Sequence, residues 1–279
     1  MVKFIHAADV HLGIMVAGVG KSQKEIAREL KQAAFDAFER VIDTAIEEEV
    51  DALVLAGDLL DSSRTFVKEK CFLQSQLNRL ATFGIPVVVA LGNHDAGSAY
   101  VSGEHIYTLG SAVETIEVET RNGERVAFSG FSYEVPVVAT RKVQEYPMKS
   151  ANCDIHIGVL HGELTTAQGR YAPFSIPELR EKGYDYWALG HIHTCQEVSS
   201  QPCAWYSGTT QGADRKESGP KGALLVEILP GNAPEVHFIE TSTMDWTEVE
   251  LAISETNRLE TLLYLSLIHI SEPTRQAEI

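Results

Sequence analysis

The sequence predicts an α/β layered fold, and three observations carry that expectation. Strand-length apolar runs alternate with helix-period segments through the N-terminal part of the chain. Several of those runs end abruptly in residues able to bind a metal or move a proton, as in "VVVALGNHDAG". With 279 residues, 44% of them hydrophobic, the chain can bury a substantial core as one large domain, or as one domain with a small appendage.

In chain order, "KFIHAA" reads as a strand. The segment 23–49 reads as an amphipathic helix, because Ala27, Leu30, Ala34, Ala37, Phe38, Val41 and Ile42 recur at helical spacing. "ALVLA" is a second strand, leading to a helix over 67–83 that stops at Gly84 and Pro86. After "VVVAL" β signals dominate: "VETIEVET" and "RVAFSGF" flank Asn122-Gly123 as a hairpin, followed by "DIHIGVL", "YDYWALG", "CAWYSG", "GALLVEI" and "EVHFI".

The formal net charge of −16 argues against a surface that coats duplex DNA non-specifically, since that binding rests on Lys and Arg replacing counterions. Any nucleic-acid chemistry is expected to be local, with bound cations or a partner subunit supplying positive field. Cys71, Cys153, Cys195 and Cys203 form no CxxC pair, and no apolar signal segment or membrane-length run is present; a reduced, cytoplasmic setting is expected. Residues 265–279, "LSLIHISEPTRQAEI", match over 265–275 the translation of a transposase-end adapter used in sequencing libraries. They read as a non-native tail, and the native chain is expected to continue beyond Tyr264. The domain organisation expected is therefore 1–240 as the catalytic domain, 241–264 as the start of a truncated second domain, and 265–279 as the tail.

Five apolar runs end in metal-capable residues at their carboxyl ends: Asp9 and His11, then Asp58, then Asn93 with His94 and Asp95, then His161, then His191 and His193. In α/β sheets that edge is where ligands bind, so positions far apart in sequence can converge there. Singly each has a plainer reading: Asp-x-His or Gly-Asp as a turn, His191 and His193 as loop histidines. Together, in one order and at one end of their strands, they point to a metal centre. His6, His105, His156 and His237 lie outside the clusters and read as surface or satisfied core histidines.

"DVH", "GDLLD", "GNHD", "LHGE" and "GHIH", in that order, resemble the calcineurin-like metallophosphoesterase superfamily over roughly 1–240. "AGDLLDSSR", "GYDYWALGHIH" and "YSGTTQGADRKESGPKGALLVEI" are most similar to SbcD-type DNA repair exonucleases, especially the YhaO-like branch. The resemblance implies a four-layer α/β/β/α sandwich with two divalent ions, Asp9, His11 and His193 holding one, Asn93, His161 and His191 the other, and Asp58 bridging. Nitrogen and oxygen ligands without thiolate suit Mn, Fe or Zn, and the resemblance favours Mn. Cys195, two residues after His193, offers a thiolate as the alternative. Two such ions and two aspartates leave a net of about +2, which draws an anionic phosphodiester despite the acidic surface.

The same resemblance implies a place for His94 beside the substrate phosphate, donating to a non-bridging oxygen or protonating the leaving alkoxide. Asp61 is the family-like carboxylate that orients it, with Asp95 as a local alternative. Arg64, Arg170, Arg215 and Lys216 are candidates for phosphate contact, each equally readable as solvated surface charge. The activity expected is DNA end processing by phosphodiester hydrolysis, commonly coupled in the family to an SMC-like ATPase partner. A phosphatase or small-nucleotide phosphodiesterase is the alternative, and a non-catalytic regulatory subunit a third class that the complete ligand set disfavours.

Overall fold

The computed structural model describes residues 1–14, 24–61, 67–97 and 101–247. Residues 248–279, including the adapter-like tail, and Arg64 lie outside them. Residues Met1–Trp246 form one compact unit.

Two six-stranded sheets face each other. The first contains β1 (Val2–Ala7), β2 (Ala52–Ala56), β3 (Val87–Ala90) and the short β4 (Ile106–Thr108), all parallel; β11 (Gly222–Ile228) and β12 (Glu235–Glu240) extend it antiparallel beyond β1. The second runs β5-β6-β7-β8-β10-β9. Its centre is parallel, with β6 (Arg125–Gly130), β7 (Ile155–His161), β8 (Tyr186–Gly190) and β10 (Cys203–Tyr206) side by side, while β5 (Glu114–Glu119) and β9 (Gln196–Ser200) pair antiparallel at the edges.

Alternation along β2 shows how the layers form. Leu53 and Leu55 face outward onto α1 (Lys24–Glu47) and α2 (Val67–Thr82), where Phe38, Val41, Leu73 and Leu77 close a fully buried cluster. Ala52, Val54 and Ala56 face the second sheet, meeting Phe128, Ile157, Val159 and Tyr186. Strands buried on both faces read as unbroken apolar runs, as "ALVLA" and "VVVA" do. The outer face of the second sheet is covered more thinly, by α3 (Ile176–Lys182), a 3-10 turn at Lys142–Glu145, and Tyr133, Tyr146 and Trp187. The four-layer α/β/β/α sandwich is thus present with one substantial and one slight helical layer. The Asn122-Gly123 hairpin forms as expected, with Gly123 in the left-handed region at φ 87°.

The sequence reading did not anticipate β4, β9 or α3. The first has three residues, the second carries polar residues on an exposed edge, and the third spans only two turns. Ser175 and Glu178 form a capping box and Gly183 closes α3 in the left-handed conformation, so its ends are better marked than its periodicity.

Candidate metal centre

The loops after β1 and β2 continue the pairing of their strands. Asp9 N–H donates to the Gly57 carbonyl at 2.9 Å, His11 N–H to that of Asp58 at 3.0 Å, and Leu12 N–H to that of Leu59 at 3.0 Å. Within this lacing Asp9, His11 and Asp58 sit at φ 50°, 47° and 52°, and His191 at 103°. Positive φ in non-glycine residues costs about 1–3 kcal/mol each and persists where the surroundings over-determine it, which is common at functional sites. The neighbouring glycines leave the required space. A Cβ on Gly92 would lie 2.1 Å from Asp58 Oδ1, and one on Gly57 2.3 Å from His161 Nδ1.

Two groups of potential ligand atoms result: Asp9, His11 and His193, and Asp9, Asp58 and His161, with atoms within 4.8 Å of one another in each. His161 Nδ1 donates to the Ala56 carbonyl at 2.9 Å, which leaves Nε2 facing Asn93 Oδ1 at 3.0 Å and Asp58 Oδ2 at 3.3 Å. A nitrogen confronted by two oxygens carries either a proton or a cation's lone-pair bond. His193 Nδ1 is held by Glu217, and its Nε2 faces His11 Nε2 at 3.2 Å. Asp58 divides its work: Oδ1 accepts the His94 N–H at 2.8 Å, while Oδ2 stands 3.8 Å from His11 Nε2 and 3.3 Å from His161 Nε2. His191 joins through its backbone N–H, which donates to the Asp9 carboxylate at 2.9 Å, and its ring packs 5.3 Å from that of His161. These residues fit divalent metal ions: lone pairs and carboxylate oxygens converge, and the far ring nitrogens of His161 and His193 are fixed by acceptors.

Protonation follows the same geometry. Burial alone would drive His161 toward neutrality, yet the Asp58 and Asp9 carboxylates raise it to about 9. Burial pushes Asp58 up, but His161 opposes it and holds that carboxyl well below the usual range. Burial raises Asp9 to about 6 against the pull of His161 and His193, and lowers both His11 and His191 to about 4. Without metal, His161 and Asp58 form a buried ion pair, and a metal ion would replace the His161 proton.

His94 stands at the rim, 47% exposed, its ring edge-on to His11 at 5.0 Å and its Nδ1 3.8 Å from Asp61 Oδ1. Asp95 turns inward instead. Its carboxylate accepts backbone N–H groups from Leu59, Leu60 and Gly92 at 3.0, 2.9 and 3.0 Å, tying the loop after β2 to the loop after β3. The carboxylate beside the His94 ring is Asp61's. Cys195 packs against the inter-sheet core, where burial raises its thiol, and belongs to neither ligand group. His6 and His156 are buried and hydrogen-bonded, to Tyr186 and Leu189 and to Ser129 respectively. His105 is half-buried and His237 exposed.

Three supporting residues escaped the sequence reading. Glu217 holds His193, Tyr133 donates to the His161 carbonyl at 3.0 Å, and the Thr209 hydroxyl donates to the Asp9 carbonyl at 2.6 Å. Glu217 and Thr209 both lie in the family-like "YSGTTQGADRKESGPKGALLVEI" stretch, whereas Tyr133 lies in no motif.

The family model of calcineurin-like phosphoesterases matches residues 2–195, the span that supplies every metal-ready side chain above. The chain belongs to the calcineurin-like phosphoesterase family. This phosphoesterase is 34% identical over 270 residues to the uncharacterized metallophosphoesterase YhaO of Bacillus subtilis, covering 94% of this chain and 66% of that protein. It is 29% identical over 268 residues to the DNA double-strand break repair protein Mre11 of Haloferax volcanii (91% and 56%), and 27% identical over 280 residues to that of Methanopyrus kandleri (91% and 59%). The chain spans less than two thirds of the length of these relatives.

Proposed function

We propose that this phosphoesterase is a metal-dependent DNA nuclease that hydrolyses phosphodiester bonds at or near ends. The observation that carries the reading is the meeting of His11, His161 and His193 Nε2 atoms with Asp9, Asp58 and Asn93 oxygens at one edge of the two sheets. The similarity to Mre11 repair proteins directs it toward DNA. Asp9, His11 and His193 would hold one ion and Asn93, His161 and His191 the other, with Asp58 Oδ2, which faces both groups, as the bridge. Divalent ions in such a site supply a nucleophile near neutral pH and charge to stabilise the displaced oxygen. We assign manganese to both positions, with iron or zinc as alternatives.

The chain's own residues divide the remaining work. Asp58 Oδ1 fixes the His94 backbone, so the His94 ring projects over His11 toward solvent, where a substrate phosphate arrives. There its ring donates to a phosphate oxygen or protonates the leaving alkoxide, with the Asp61 carboxylate 3.8 Å from Nδ1 to orient it. Glu217 keeps His193 in one tautomer. An SMC-like ATPase as partner would supply the DNA-binding surface that a chain of net charge −16 lacks, in a cytoplasmic setting. No described helix is long and apolar enough to cross a membrane.

The same acidic balance favours the second reading, a phosphatase or phosphodiesterase acting on phosphoproteins or small nucleotides. A Mn-dependent assay on end-labelled duplex, single-stranded DNA, a simple phosphodiester and a phosphomonoester in parallel separates the two. The nuclease reading expects DNA to be cleaved with the highest kcat/KM; cleavage confined to the monoester overturns it.

A further inference from the structure

Of the cations that the sequence offers to phosphate, Arg170 has a built position next to the metal-ready histidines. The Glu163 carboxylate pins its loop by accepting the backbone N–H groups of Arg170 and Tyr171. Val138 N–H donates to the Arg170 carbonyl at 3.0 Å, and Ala172 N–H to that of Val138 at 2.7 Å. This lays the Tyr171 ring against His191, centroids 4.7 Å apart, and the Arg170 guanidinium over the Tyr171 ring at 5.8 Å. Cation–π support of this kind holds a guanidinium without neutralising it.

Charge sharpens the contrast. Arg79, Arg121 and Arg141 each stand within 4.0 Å of a carboxylate; the exposed Arg170, like Arg125, Arg180 and Arg215, has no ion pair among the described residues, and what sets it apart is the Tyr171 ring beneath it, itself against His191. A planar guanidinium held off carboxylates, in a chain this acidic, presents a free bidentate face to an anion, and phosphate matches it. Val137 and Leu164, both large apolar side chains left exposed, lie on the two segments that pin the loop. Exposed apolar side chains on those two segments suit a sugar or base edge and do nothing for bare phosphate.

We propose that Arg170 receives a phosphate neighbouring the one being cleaved, so that the centre prefers a polynucleotide strand to a single phosphoester. The inference rests on the nuclease reading and names how that site recognises its substrate class.

The test compares thymidine nitrophenyl phosphate, which carries one phosphate, with oligothymidylate nitrophenyl esters longer by one and by three nucleotides, on the Mn-loaded protein. In the wild type kcat/KM should rise with length, mostly through KM, and the gain should fade as salt is raised. Arg170→Ala should remove about tenfold of that gain, the scale of one charged hydrogen-bonded contact, and leave the single-phosphate ester unchanged. Arg170→Lys should recover part of it, and Arg121→Ala, on the remote pair with Glu49, should behave as wild type. An Arg170→Ala protein that keeps the full gain, or loses equally on the one-phosphate ester, overturns the assignment. A wild type that cleaves the short ester with no gain from length overturns it too, while phosphodiester hydrolysis stands. A wild type inert on every ester but active on a phosphomonoester sinks the nuclease reading itself, and Arg170's role with it.

Discussion

Asn93 and His94 are adjacent in sequence and diverge in duty. Asn93 Oδ1 points at His161 Nε2, whereas the His94 ring leans outward over His11. His94→Ala is therefore expected to retain both metals and near-normal substrate affinity while losing roughly 10²- to 10⁴-fold in rate. With an aryl phosphodiester whose leaving group departs without protonation, that deficit should shrink. Rates on DNA and on the aryl ester, with metal content measured in the same preparation, decide the matter: equal losses at full occupancy rule out His94 as the leaving-group acid. Asn93→Ala should instead lower occupancy. The His161 proton offers a second check. Because the Asp58 and Asp9 carboxylates raise His161 to about 9 and Glu217 helps to raise His193 against burial, whereas burial holds His11 and His191 near 4, metal binding at about pH 7 should release protons from His161 and His193. Calorimetry in buffers of different ionisation enthalpy should show the His161 component declining as pH rises through about 9; a release independent of pH contradicts the His161–Asp58 ion pair.

At the scale of elements, the centre depends on loops after β1, β2 and β3 being held as one piece. Asp95 is the clasp, since one buried carboxylate serves backbone amides from two loops. Removing it strands three buried N–H groups, each worth about 1–3 kcal/mol when left unsatisfied. Asp95→Ala should accordingly lower the melting temperature and weaken metal binding together. Asp95→Asn, which can accept fewer of those amides, should fall between. Unchanged stability in Asp95→Ala, measured by thermal unfolding, would show that the loops hold without the clasp. Gly92 is constrained for a different reason: any Cβ there meets Asp58 Oδ1.

For the whole molecule, metal binding and folding are linked because two sheets contribute to one centre. Asp9 and Asp58 come from the first, His161 and His191 from the second. A ligand that binds only the folded chain stabilises it by about 2.7 kcal/mol at a hundred times its Kd, so added Mn should raise the melting temperature. The sign of the pH dependence is set by His161. Its pKa is raised on folding, so in the metal-free chain the stability it contributes is full below about pH 6.5 and is lost as pH rises through about 9. Metal should offset that loss, and the thermal shift on adding Mn should grow between about pH 7 and 9. A shift that shrinks over that interval would contradict the linkage.

The sequence by itself determined what local pattern can encode. Unbroken apolar runs marked β1, β2, β3, β7 and β8, helical spacing marked α1 and α2, and the polar residues that end the strands marked the edge at which ligands gather. The order of five short motifs was enough to name the family. What only the tertiary structure decided is where each polar side chain turns once the chain has come back on itself. "GNHD" looks alike at Asn93, His94 and Asp95, but Asp95 finds amides 35 and 36 residues earlier and so points inward. Glu217 meets His193 across 24 residues, and Arg170 is placed by a tyrosine whose ring rests on the histidine that follows β8. Periodicity reports which face of an element is buried. Partners brought together by loops and by the stacking of two sheets leave no periodic trace, because their spacing in sequence is set by everything folded between them.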